Sequence, residues 1–146
     1  MVEGSGYPIN LSLDRADVFP ADGEELAEGG VEGWLHEVSP YLLHYGVSLD
    51  VSTDDSSDDD MYSVQINGRR CLIWAEPDQI DWYHATVAPL AVVNDLLAEA
   101  DAAVRCYTLY TGGNEGMLLI LNPQVPALMR ASELFEDQDL PALAAS

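Results

Sequence analysis

The sequence predicts a single α+β domain: an antiparallel sheet of about five strands, in the order helix, three strands, helix, two strands, helix, with the helices covering one face. Three observations carry this. Asn67-Gly68 separates two strand-like runs, and that dipeptide is the strongest short hairpin signal because both central positions need positive φ. Two further strand-like segments, Val104 to Thr111 and Met117 to Leu121, flank a glycine-rich break and form a second antiparallel pair. Between the two groups, Leu90, Val93, Leu97 and Ala100 recur at helical spacing and define a buried stripe. Hairpins grouped between helices favour an antiparallel sheet with helices packed on it.

Residues 1–21 hold Pro8, Pro20 and several glycines and are expected to form a flexible N-terminal arm. The domain proper spans 22–136. Asp22 caps a short acidic helix holding Leu26, which Gly29 and Gly30 should end. Val31 to Val38 resumes as a second helical piece with Trp34, Leu35 and Val38 on one face, and Pro40 should close it. Tyr45, Val47, Leu49 and Val51 alternate with polar or small residues at period two, the mark of a strand with one buried face. Asp54 to Asp60 must then be a loop or a frayed strand end. Tyr62, Val64 and Ile66 lead into the hairpin turn, and Arg69 to Trp74 return from it.

Pro77 to Tyr83 reads as a connection. Thr86 is expected to cap the next helix, which runs to about Asp101 with Pro89 in its first turn. Asn122 and Pro123 suit the cap and first position of a last helix, whose apolar face would be Val125, Leu128 and Met129. Residues 137–146 are expected to fray.

Charge is the outlying property. The chain carries 26 acidic residues against five basic ones, a formal net charge of -21, and all five cations are arginine. Such a charge repels nucleic acid and anionic membranes and steers the molecule towards basic partners. Halophilic adaptation would also raise acidity, but here the carboxylates are unevenly distributed along the chain. Five arginines form no basic stripe, so neither nucleic acid nor membrane is an expected partner, although a row of carboxylates can imitate a phosphate backbone. No basic start followed by an apolar run precedes residue 20, and no apolar stretch reaches the ~20 residues of a membrane span. The expected location is the cytoplasm.

Catalytic constellations are missing from the sequence. His36, His44 and His84 lie in different elements without metal-ligand spacing. There is no G-x-S-x-G, no P-loop and no G-x-G-x-x-G. Cys71 and Cys106 sit in separate strands among apolar neighbours, which predicts buried free thiols. Asp54, Asp55, Asp58, Asp59 and Asp60 offer oxygens for calcium, yet the EF-hand register of alternating ligands, central glycine and distal glutamate fails. No enzyme activity, metal or cofactor is expected. The acidic run is then a solvated loop or a partner-facing surface. Trp74 and Trp82 bracket Glu76, Asp78 and Asp81, an arrangement that suits an interface anchor with an acidic rim, or equally tryptophans covering the core. Arg69, Arg70 and Arg105 are expected to pair with nearby carboxylates.

From Tyr62 onward the segments YSVQING, DQIDWYHAT, VVNDLL and VRCYTLYTGGNEGMLLILNP resemble the small immunity proteins that bacteria make against their own secreted toxins in polymorphic and contact-dependent systems. The resemblance covers roughly residues 60 to 130. It implies a non-catalytic cytoplasmic protein, a monomer or weak homodimer, that neutralises a cognate toxin by covering a basic active-site cleft. Toxins of that kind are often nucleases or enzymes that consume nucleotide cofactors. It adds Asn114 and Glu115, within GGNEG, to the expected partner-binding residues Asp54, Asp55, Asp58, Asp59, Asp60, Trp74, Glu76, Asp78, Asp81 and Trp82; the same loop equally reads as a tight turn with positive φ at asparagine and glycine. Size, charge and element order also resemble the acidic chaperones of type III secretion, which bind effector segments as dimers. Ala88 to Ala100 would then be the dimer helix, but it lacks a broad second apolar face.

Overall fold

A computed structural model describes residues 18–53, 61–75 and 82–145. Within them, seven strands form two antiparallel sheets instead of one. Strands β2 (Val51–Thr53), β3 (Met61–Ile66) and β4 (Arg69–Ala75) make a three-stranded sheet in that order. Strands β1 (Val18–Pro20), β6 (Met117–Leu121), β5 (Arg105–Leu109) and β7 (Ala142–Leu143) make a four-stranded sheet, also in the order given. The expected hairpins β3–β4 and β5–β6 are both present. At the first, Asn67 and Gly68 adopt φ of 52° and 81°, as a two-residue turn between right-twisted strands requires. Asn67 also holds the incoming chain: its Oδ1 accepts from the Asp50 amide at 2.6 Å and its Nδ2 donates to the Ser48 carbonyl at 2.8 Å. A bulge between Tyr62 and Ser63 leaves Ile73 as the extra residue of β4.

Helix α3 (Trp82–Glu99) separates the sheets and packs on β4 and β5. Leu90, Val93 and Leu97 are buried as expected, and each contributes on the order of 1.5–3 kcal/mol of burial. Ala100, assigned to the same stripe from sequence, is exposed beyond the helix end. The helix also begins a turn earlier than expected. Thr86 does not cap it; its hydroxyl donates to the Trp82 carbonyl at 3.1 Å, the back-bonding open to a threonine within a helix. Pro89 therefore lies in the helix interior, where it leaves the Ala85 carbonyl without its i+4 amide.

The main core joins Val64, Ile66, Cys71 and Ile73 of one sheet to Cys106, Leu118 and Ile120 of the other, with α3 and helix α2 (Val31–Leu43) between and beside them. Trp34, Leu35 and Val38 face this core. Asp22 caps the short helix α1 (Gly23–Glu25), accepting from the Glu24 and Glu25 amides, and a wide π-type turn over Leu26–Gly30 links α1 to α2. Gly29 bends the chain at φ 110° without ending it, and Pro40 lies inside α2, which runs three residues further.

The four-stranded sheet is buried on both faces, which is why its central strand β6 is a continuous apolar run. Leu118 and Ile120 point into the main core; Leu119 and Leu121 point the other way, into a smaller core with Tyr107, Leu109 and Met129. Helix α4 (Gln124–Ser132) covers that second face, so the helices do not all lie on one side. Asn122 caps it as expected, accepting from the Gln124 amide at 2.9 Å. Met129 is buried and Val125 half-buried, but Leu128 is exposed.

Two short strands lie outside the bounds expected for the folded domain. Val18–Pro20, placed in the arm from sequence, pairs with β6, and Ala142–Leu143, placed in the frayed tail, pairs with β5. Buried Asn94 fixes the second of these: its Nδ2 donates to the carbonyls of Cys106 at 3.0 Å and Ala144 at 2.8 Å, and its Oδ1 accepts from the Cys106 amide at 2.7 Å.

Cys71 and Cys106 are buried free thiols. Burial pushes the Cys71 thiol up to about 11 and the Cys106 thiol up to about 12, from an ordinary 9.0. Each holds its proton more tightly in the fold than in the unfolded chain, so their contribution is complete below pH 9 and is lost as pH rises towards 11 and 12. Denaturant midpoints measured from pH 7 to 11 are expected to be flat at first and to fall above 9. Disulfide-exchange reagents should label neither thiol at pH 7 until the protein unfolds.

Candidate functional site

Eight of the twelve expected partner-binding residues, Asp54, Asp55, Asp58, Asp59, Asp60, Glu76, Asp78 and Asp81, lie outside the described residues. What the fold settles is where their segments attach. β2 ends and β3 begins at one end of the three-stranded sheet, and Met61 there pairs with Ala75, the last residue of β4. The stretches 54–60 and 76–81, with eight carboxylates between them, are thus both anchored at that end. Glu32, overlooked in the sequence, adds a fixed carboxylate: its Oε1 accepts from the Thr53 amide at 2.7 Å and the Thr53 hydroxyl at 2.8 Å. Those hydrogen bonds hold its carboxyl below the usual range, and they occupy the outward amide of an edge strand.

The four remaining residues converge on one segment, Pro20 to Gly30. The Trp74 indole N–H donates to the Ala27 carbonyl at 2.9 Å. Trp82 packs over Gly23 so closely that a Cβ there would come within 2.9 Å of its own. Asn114 Nδ2 donates to Asp22 Oδ1 at 2.9 Å and to Glu24 Oε1 at 3.1 Å. Glu115 is exposed and lines a pocket with Pro20. Both tryptophans are half-buried against the main core, so in this fold they join the helical segment to β4 and α3. The GGNEG loop is likewise tied down: the Ala21 amide donates to the Gly116 carbonyl at 2.8 Å and the Gly23 amide to the Gly113 carbonyl at 3.0 Å. The positive φ angles fall on Tyr110 and Gly112, not on Asn114.

These junctions collect charge at the amino end of α3. Asp22, Glu24, Glu25 and Glu115 lie around it. Two arginines lie at the other end. Arg69 pairs with Glu99 at the opposite end of α3, with contacts of 2.6 and 2.8 Å. Arg105, expected to meet carboxylates, instead donates to the carbonyls of Ala102 and Val104 just after that helix. Arg70 reaches the Met61 sulfur at 3.8 Å. Among the described residues, carboxylates therefore gather at the amino end of α3, while Arg69 and Arg105 lie at its carboxyl end and Arg70 turns towards Met61, where the stretch 54–60 attaches.

Among the described residues no group of three or more His, Cys, Asp or Glu is placed to hold a metal ion, and no helix is long and apolar enough to cross a membrane. His84 Nε2 lies 3.1 Å from the Leu72 carbonyl, and His36 stands 3.9 Å from Glu32. Comparison with protein-family models, with curated proteins and with solved structures finds no match.

Proposed function

We propose that this chain is a non-catalytic acidic binding protein that neutralises a cognate bacterial toxin by covering its basic active-site cleft. The observation that carries the reading is the polarised charge. Carboxylates gather at the amino end of α3 and in the sequence of the segments attached beside it, while Arg69 and Arg105 lie at the far end. A cleft that binds a phosphate-bearing substrate is electropositive, and an anionic inhibitor is steered into it quickly. Repulsion among unpaired carboxylates strains the isolated protein, and a basic partner relieves that repulsion. A nuclease or an enzyme that consumes a nucleotide cofactor presents the matching field. The protein acts in the cytoplasm on this reading, as a monomer or weak homodimer, and needs no cofactor.

The secretion-chaperone alternative requires a helix face for dimerisation. Residues of α3 are buried against both sheets, and its exposed positions near the carboxyl end, Asp95, Ala98 and Glu99, form no apolar stripe. That weighs towards the inhibitor.

Titrating the purified protein against the toxin domain encoded by the adjacent gene tests the proposal, with stoichiometric inhibition expected and no inhibition fatal to it. Changing Asp58, Asp59 and Asp60 together to lysine should slow association by about tenfold or more, since steering contributes 10- to 1,000-fold to such rates. The circular dichroism spectrum should be unchanged and the unfolding midpoint no lower, since the variant carries less self-repulsion. An unaltered association rate would mean that this run is merely solvated.

A further inference from the structure

Beside the GGNEG loop, β1 and β6 form a pocket of about 620 Å³. Its apolar surface comes from Val18, Phe19 and Met117, and its polar wall from Tyr110 and Glu115. None of the described lining residues is cationic. Tyr110 enters the wall from an unusual backbone: its φ is 54°, a left-handed conformation that a bulky side chain rarely adopts. Strain of this kind persists where surrounding structure enforces it and is concentrated at functional sites. The Tyr110 hydroxyl donates to Asp139 Oδ1 at 2.7 Å, which sets a second carboxylate at the tip of the side chain. Asn114 is held by Asp22 and Glu24 on the neighbouring segment, so the loop that presents Glu115 is fixed to the body of the protein.

An apolar surface with one exposed carboxylate and a tyrosine face suits a long aliphatic stem ending in a planar cation. The stem covers Val18, Phe19 and Met117, the head meets Glu115, and the ring of Tyr110 offers a cation–π face. A free amino acid or nucleotide would bring an anionic group for which this wall has no partner. We propose that the pocket receives an arginine side chain projecting from the toxin, a central anchor within the larger acidic surface. This deepens the inhibitor reading and rests on it for the identity of the occupant. Arginine is favoured over lysine because its planar head pairs with a carboxylate in two contacts and stacks on an aromatic ring.

The test is a titration of the isotope-labelled full chain with Nα-acetyl-arginine amide, followed by amide NMR shifts. Saturable shifts are expected at Val18, Phe19, Glu115, Gly116 and Met117. Affinity should fall at least about tenfold for the uncharged citrulline analogue, and equally for arginine added to Glu115→Gln, since a charged hydrogen bond is removed in each case. Equal binding of citrulline, shifts spread over Glu24, Glu28 and Glu37 instead, or no saturable shift would overturn the proposal. Inhibition of the toxin provides a separate readout. A Glu115→Gln protein that inhibits as well as the wild type would remove the anchor and leave the inhibitor reading intact. A wild-type protein that binds arginine here but inhibits nothing would remove the inhibitor reading and leave a guanidinium site.

Discussion

Replacing Asn94 by alanine is expected to lower stability by about 3–5 kcal/mol, the largest single effect predicted for this chain. Asn94 lies on α3, 8 % exposed, and three hydrogen bonds satisfy it. Alanine leaves the buried Cys106 amide and the Ala144 carbonyl without that partner. An orphaned buried polar group costs about 1–3 kcal/mol each, and the lost packing adds to it. Against a typical total of about 5–15 kcal/mol, this removes a third or more. The damage should be local as well as global, since Asn94 ties the segment ending in β7 to β5. Hydrogen exchange at Cys106 should accelerate, and proteases should cut within 137–145 before the rest of the chain. Asn94→Asp retains the acceptor for the Cys106 amide but turns a carboxylate towards two carbonyls, so it should not rescue. A midpoint change worth less than about 1 kcal/mol would show that the hydrogen bonds are not carrying the junction.

Gly116→Ala should cost about 2–4 kcal/mol, in the range of forced overpacking. The backbone angle is not the reason, since Gly116 has no positive φ. The reason is closeness: a Cβ at this position would stand 2.5 Å from the Ala21 carbonyl oxygen. Backbone, not a movable side chain, would have to give way. Moving it breaks the 2.8 Å hydrogen bond from the Ala21 amide to Gly116 and pulls Asp22 from Asn114. Gly113→Ala is the internal control, three residues away in the same loop, where a Cβ meets nothing within 4 Å. It should change stability by no more than about 0.5 kcal/mol. Equal effects at both positions would contradict the close-approach account.

These junctions mark the boundary of what the sequence can disclose. The hairpin at Asn67-Gly68 was legible because its turn chemistry is local and its strands alternate. β6 was legible as an unbroken apolar run, and its two buried faces explain why it does not alternate. Strands β1 and β7 were not, since three residues ending in Pro20 and two near the terminus carry no period of their own. They are strands because β6 and β5 offer them hydrogen bonds. The division into two sheets follows from α3 packing between them, a tertiary fact invisible to strand spacing. Thr86 and Pro40 misled for a related reason: a threonine hydroxyl can back-bond within a helix, and a proline can be carried by a helix that packing holds in place.

The site was legible in its charge and obscure in its geometry. That Trp74 and Trp82 stand among acidic residues is plain from sequence, but their attachment to Ala27 and Gly23 joins positions 47 and 59 residues apart. Asn114 meets Asp22 across 92 residues, and no local pattern announces such a contact. Glu32 was missed because a helical glutamate ordinarily faces water; only the fold brings Thr53 to it. The pocket beside Glu115 needs Val18 and Phe19, which sequence alone assigned to a loose arm.

Opposed salt responses follow from the same charges. Screening should stabilise the isolated protein by weakening its self-repulsion, and should weaken its complex with a basic partner. The most direct measurement is the association rate with the adjacent-gene toxin domain, by stopped flow, between about 20 mM and 500 mM salt, where the Debye length shortens several-fold. The toxin should be inhibited and the rate should fall steeply as salt rises, with a shallower fall for the triple lysine variant. A tight complex whose association rate is indifferent to salt, or a toxin left fully active, would contradict the inhibitor reading.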